Sequence, residues 1–61
     1  MKKIKEYTYG TYIYMELNFA GKNYIVENYA GHDYSWNHYK TTADNDAKKR
    51  ELLIKAFKKL Y

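Results

Sequence analysis

The sequence holds no cysteine, one serine (Ser35), one arginine (Arg50) and three glycines in 61 residues. Without cysteine there is no disulfide to staple a chain this short, and no Cys-based zinc site. Stability then has to come from a small core, tight turns and aromatic contacts. A lone serine without a paired base and orienting acid beside it leaves no nucleophilic triad. The glycines stand singly, so no phosphate-cradling loop is present. No run approaches the roughly 18 apolar residues of a membrane helix. The opening MKKIKEYTYG follows its lysines with no apolar stretch, unlike a signal peptide. The composition points to one domain over residues 1–61, expected in the cytoplasm and away from membranes.

Charge is plentiful but one-sided. The formal net charge is +4, from eleven basic and seven acidic residues, and all the basic residues but Arg50 are lysine. Recognition of bases and phosphates leans on the rigid fork of arginine. Lysine richness beside many Asn, Ile and Tyr also reads as AT-rich coding. The charge therefore raises a nucleic-acid role only slightly.

Tyrosine is what the chain has in excess, with nine of them, four between positions 7 and 14. The three glycines lie in TYGTYI, FAGKNY and YAGHDY, ten or eleven residues apart. Turn signals at that spacing predict successive antiparallel hairpins. With glycine in the first central position, type II′ turns are expected at Gly10-Thr11, Gly21-Lys22 and Gly31-His32. The first places Tyr9 opposite Tyr12, Tyr7 opposite Tyr14, Lys5 opposite Glu16 and Ile4 opposite Leu17. The second places Leu17 opposite Val26, Glu16 opposite Glu27 and Tyr14 opposite Tyr29. The third places Tyr34 opposite Tyr29 and Trp36 opposite Glu27, in a fourth strand from Tyr34 to Thr41. An alternative makes residues 5–19 a single long strand with a bulge at Gly10.

Alternation then sorts the side chains. Ile4, Ile13, Met15, Leu17, Phe19, Tyr24, Val26 and Ala30 share one face. Tyr7, Tyr9, Tyr12, Tyr14, Glu16, Ile25, Glu27, Tyr29, Tyr34 and Trp36 share the other, with Lys3 and Lys5 at one end. The stretch TTADNDAKKRELLIKAFKKLY changes period: Leu53, Ala56, Phe57 and Leu60 form one helical face, flanked by Leu52, Ile54 and Tyr61. Thr42 or Asp44 is the expected cap, Glu51 is spaced to meet Lys55, and Lys58 and Lys59 suit the C-terminal end of the dipole. About 17 helical residues span roughly 26 Å, comparable to an eight-residue strand. The expected architecture is α+β: an antiparallel meander of three or four strands with one C-terminal helix across its apolar face.

The order of elements is similar to that of the small three-strands-and-helix DNA-binding domains that open some phage integrases. WNHYKTTADNDAKKRELL stands where their last strand runs into a helix. The likeness is one of order and length, and no residue role transfers through it.

The tyrosine face has two readings. Cross-strand aromatic pairs stabilise a small sheet, and that alone accounts for several of these rings. Six tyrosines and a tryptophan on one uncovered face also exceed the apolar patch usual for a monomer, and Tyr and Trp dominate interface hot spots. Partner-binding residues are therefore expected to be Tyr7, Tyr9, Tyr12, Tyr14, Tyr29, Tyr34 and Trp36, with Glu16 and Glu27 setting orientation. A protein partner is the first expectation, engaged by an inhibitor or adaptor of phage or mobile-element style, in the manner of anti-CRISPR proteins. Nucleic acid is the second, through the sheet face or through Lys3, Lys5, Lys48, Lys55, Lys58 and Lys59. A structural homodimer, or a designed miniprotein without function, is the third.

No enzyme is expected. Glu16 and Glu27 are the one carboxylate pair worth naming as acid and base, and they also serve simply to offset Lys5. A domain this small offers little room for a concave pocket of several hundred Å³. His32 and His38, with the aspartates of GHDYSWNHYKTTADND, match no metal-ligand spacing, so neither metal nor cofactor is expected.

Overall fold

The computed structural model of the chain describes residues 1–30 and 37–61. Four strands, β1 (Lys2–Tyr9), β2 (Tyr12–Phe19), β3 (Lys22–Ala30) and β4 (Asn37–Thr41), precede the helix α1 (Ala47–Leu60). The sheet is antiparallel in the order β1-β2-β3-β4, a meander, and the helix packs against it. This is the α+β architecture expected from turn spacing and change of period. It has two distinct strands on either side of Gly10, not one long bulged strand.

The first hairpin follows the expected register, with Tyr9 opposite Tyr12, Tyr7 opposite Tyr14 and Lys5 opposite Glu16. Gly10 has φ of 62° while Thr11 is not in the positive-φ region, the pattern of a type II′ turn. Further along, β1 departs from expectation. A bulge between Lys3 and Lys5 places Lys3, not Ile4, opposite Leu17. One extra residue reverses the alternation beyond it. Lys3 therefore leaves the tyrosine face and pairs with Glu6 at 3.1 Å, and Ile4 is 46% exposed instead of joining the core.

The second turn also differs. Ala20 at φ 54° and Gly21 at φ 83° are both left-handed, as a type I′ turn requires, so the loop is Ala20-Gly21 and not Gly21-Lys22. Phe19 faces Lys22, Leu17 faces Tyr24, Met15 faces Val26, Glu16 faces Ile25 and Tyr14 faces Glu27. Every pairing has moved by two residues, which changes partners but keeps each side chain on its predicted face.

β4 is shorter than expected, Asn37–Thr41, and its register puts His38 opposite Tyr29 and Lys40 opposite Glu27. Those are the places assigned from sequence to Tyr34 and Trp36. Tyr34 and Trp36, together with Gly31, His32, Asp33 and Ser35, lie outside the described residues.

Met15, Leu17 and Val26 from the sheet meet Leu53 and Phe57 from the helix in the buried core, closed by Tyr24 and Ala43. Ile13, Phe19, Tyr39 and Ala56 pack around it. Burying a side chain of this size contributes about 1.5–3 kcal/mol, so a handful of them hold much of the fold. Asn28, on the same face, is buried and donates to the His38 carbonyl at 3.4 Å.

The helix spans 14 residues rather than 17 because Asp46, not Thr42 or Asp44, caps it. Asp46 is extended (φ −123°, ψ 94°), and its Oδ1 accepts the Lys49 N–H at 3.1 Å. That satisfies one of the free donors of the first turn. Lys58 and Lys59 occupy the last turn as expected, while Glu51 forms no ion pair with Lys55.

Asp44 has a different task. Its Oδ1 accepts from the Thr41 N–H and hydroxyl, both at 2.9 Å, and from Arg50 Nε at 3.1 Å. Arg50 Nη2 also donates to the Tyr39 carbonyl at 3.0 Å. The clasp fixes the angle at which the helix leaves β4 and lays Phe57 edge-on against Tyr39, with ring centroids 5.8 Å apart. The sole arginine is thereby engaged in holding the fold.

Candidate functional site

The helix lies over β3 and β4, so the opposite face of the sheet has no covering element among the described residues. Three rows cross that face. Tyr9, Tyr12, Tyr29 and His38 form the first, and Tyr7, Tyr14, Glu27 and Lys40 the second. The third contains Lys5, Glu16 and Ile25, extended by Thr42, which exchanges hydrogen bonds with Ile25 at 3.1 Å in each direction. The tyrosines gather at one end, and an amide and carboxylate chain closes the other. Asn18 donates to Asn23 at 2.8 Å, and Asn23 donates to Glu16 at 3.1 Å.

The rings touch in series. Tyr7 stacks on Tyr14 with centroids 5.0 Å apart and planes 17° apart. Tyr14 lies 6.2 Å from Tyr12, and Tyr12 lies 5.1 Å from Tyr29 at 42°. Offset or tilted rings at 4.5–7 Å attract beyond their buried area, so the ladder stiffens the sheet. It leaves ring surface free all the same: Tyr9 is 78% exposed, Tyr7 44% and Tyr12 38%.

The charges of this face are distributed, not concentrated. Glu16 and Glu27, expected to oppose each other, do not: Glu16 sits opposite Ile25 and Glu27 opposite Tyr14. The two carboxylates named as a possible acid and base are diagonal neighbours on one face and not a directly opposed pair. Lys5 Nζ lies 3.9 Å from Glu16 and 5.7 Å from the Tyr7 ring centre. The Tyr14 phenol is pushed above its ordinary 10.0, first by desolvation among its neighbours, then by the Glu27 charge and hydrogen bond. The sequence reading missed Lys40 and His38, which the register of β4 brings beside Glu27 and Tyr29. Alternation along the expected strand already placed both on this face with Tyr34 and Trp36, but not their partners across β3.

Lys2 stands opposite Asn18 at the far end of this face, and the other lysines lie elsewhere. Lys22 and Lys49 flank the Tyr24 ring at 5.6 and 5.3 Å, and Lys58 lies 5.4 Å from the Tyr39 ring centre, all on the helix side of the sheet. Lys48, Lys55 and Lys59 are exposed on the helix, and Lys3 is on β1 facing away from the tyrosines. Open hollows do occur on this small domain, two of about 640 Å³, beside the helix and at its N-terminal end. They are wider than the sequence reading allowed. Among the described residues no three His, Asp or Glu side chains converge as metal ligands, and no helix is long and apolar enough to cross a membrane.

No protein-family model, curated protein or solved structure matches the chain. The site must be read from its own chemistry.

Proposed function

We propose that the domain is a non-enzymatic binding module for a protein partner, and that the tyrosine ladder is its contact face. The carrying observation is the run Tyr7–Tyr14–Tyr12–Tyr29, with Tyr9 beside it, on the side of the sheet away from the helix. Exposed tyrosine offers rigid apolar area at small entropic loss, with a hydroxyl that water satisfies until a partner arrives. Glu16 and Glu27 lie among these rings, with Lys5 and Lys40 opposite them. A face of mixed charge suits a protein surface better than a phosphate backbone. The effect on the partner is occlusion, the mode of small phage- and mobile-element-type inhibitors and adaptors.

The nucleic-acid reading has one observation in its favour, the six basic residues of α1 against one acidic. Arg50 is committed to Asp44 and Tyr39, and Lys58 to the Tyr39 ring, which leaves lysine point charges without a bidentate reader.

The test is capture from lysate with and without nuclease, at low and high salt, comparing wild type with a Tyr7→Ser/Tyr9→Ser variant. Both residues are exposed on β1, and circular dichroism checks that the variant folds. A defined protein retained under all conditions by wild type and lost by the variant supports the proposal. Capture that disappears with nuclease, or survives the double substitution, overturns it.

A further inference from the structure

The helix carries a second apolar line, which the sheet leaves open at Leu52 and Leu60. Leu53 and Phe57 face the core, whereas Leu52 is 43% exposed and Leu60 38%. Spacing of four residues sets Leu52, Ala56 and Leu60 one above another along the helix. Met1, 50% exposed, comes up beside them. Together they line an open hollow of about 640 Å³ whose walls are completed by Lys55, Lys58 and Lys59. Apolar area beside lysines is a defined chemistry, and it is separate from the tyrosine face.

We propose that this hollow docks an acidic amphipathic helix of a partner protein. Its apolar anchors would rest on Met1, Leu52, Ala56 and Leu60, and its carboxylates would meet Lys55 and Lys59. Recognition of a helix by an apolar groove through anchors one turn apart is a recurrent mode. Charge selects the occupant. The helix has six basic residues and one acidic, so a second copy laid along it would set lysine against lysine. A nucleic acid would satisfy the lysines but leave Met1, Leu52 and Leu60 against phosphate and sugar. A lipid surface takes a protruding apolar face, whereas these apolar residues line a recess between the chain start and the helix. An acidic helix satisfies both the apolar floor and the basic wall. The inference does not depend on the tyrosine face.

A synthetic four-turn peptide of Leu, Ala and Glu tests it, with leucines one turn apart on one face and glutamates flanking them. Binding is measured by calorimetry and mapped by backbone amide shifts on the whole protein. Shifts are expected at Leu52, Lys55, Ala56, Lys59 and Leu60, and affinity should decrease with salt. Leu52→Ser/Leu60→Ser should weaken binding about tenfold or more, the effect of removing central anchors. Lys55→Gln/Lys59→Gln should weaken it and flatten the salt dependence, and a peptide with Lys in place of Glu should not bind. The substituted positions are exposed, and Tyr7→Ser/Tyr9→Ser should leave this binding unchanged. No binding of the acidic peptide, binding indifferent to these variants, or shifts confined to the tyrosine face overturns the proposal. So does a response of the same residues only to duplex DNA, to phosphatidylglycerol vesicles or to protein concentration.

Discussion

Tyr12 and Tyr29 face each other directly across β2 and β3, with ring centroids 5.1 Å apart and planes inclined at 42°. The pair joins the hairpin that carries Tyr7, Tyr9, Tyr12 and Tyr14 to β3, which contributes Tyr24 and Val26 to the core. A double-mutant cycle with Tyr12→Ala and Tyr29→Ala should give a favourable coupling of about 0.5–1 kcal/mol in urea unfolding. Zero coupling would mean that these rings sit side by side without stabilising the sheet, and that their abundance needs another cause.

Tyr14 should ionise at higher pH than an ordinary tyrosine. Desolvation, then Glu27, raise its phenol above 10.0, so the neutral form is favoured in the fold. Its contribution to stability is present below the unfolded value and lost as pH rises through the higher folded one. In NMR titration, Glu27→Gln should move the Tyr14 transition back toward the ordinary value. A transition indifferent to Glu27 would contradict the arrangement.

Asp44 titrates in the opposite direction. Burial favours its neutral form, but hydrogen bonds from the Thr41 hydroxyl and backbone N–H, with the Arg50 charge, outweigh this and lower its pKa below 3.8. The stabilisation is complete above the unfolded carboxyl value and disappears as pH falls below about 4 toward the folded one. Asp44→Asn should cost about 1 kcal/mol at neutral pH, held down because the carboxylate is 45% exposed. It should also make unfolding less sensitive to acid in that window. An unchanged acid profile would remove the clasp from the list of forces that orient the helix.

Ala20 holds φ of 54°, a conformation that costs an L-residue with a Cβ roughly 1–2 kcal/mol. Asn-Gly is the preferred pair for a type I′ turn. Ala20→Asn should therefore raise stability by about 0.5–1 kcal/mol, while Gly21→Ala, at φ 83° with open space around it, should lower it through backbone strain alone. Thermal unfolding of the two variants should move in opposite directions. A shift in the same direction would place the turn elsewhere.

Much of the architecture was legible because it depends on local periods. Leu53, Ala56 and Phe57 recur as a helix requires, and residues of β2 and β3 alternate as a half-covered sheet requires. Period two is insensitive to a shift of two residues, so Tyr7, Tyr9, Tyr12, Tyr14 and Tyr29 stayed on one face although the second turn moved to Ala20-Gly21. The bulge at Lys3–Lys5 was not legible. It adds one residue without a glycine or proline to announce it, and it carries Lys3 to the other face.

Amino-acid order alone determined the strand pattern, the helix and the gathering of tyrosines, because each follows from side-chain periodicity and the backbone freedom of Gly10 and Gly21. Only the tertiary structure decided which charges meet. Glu27 stands opposite Tyr14 and Lys40 instead of Glu16, and Arg50 reaches Asp44. It also decided that Leu52 and Leu60 stay uncovered beside Met1, since the helix lies over β3 and β4. Those pairings join residues distant in the chain, through turn geometry and helix placement that no local period encodes.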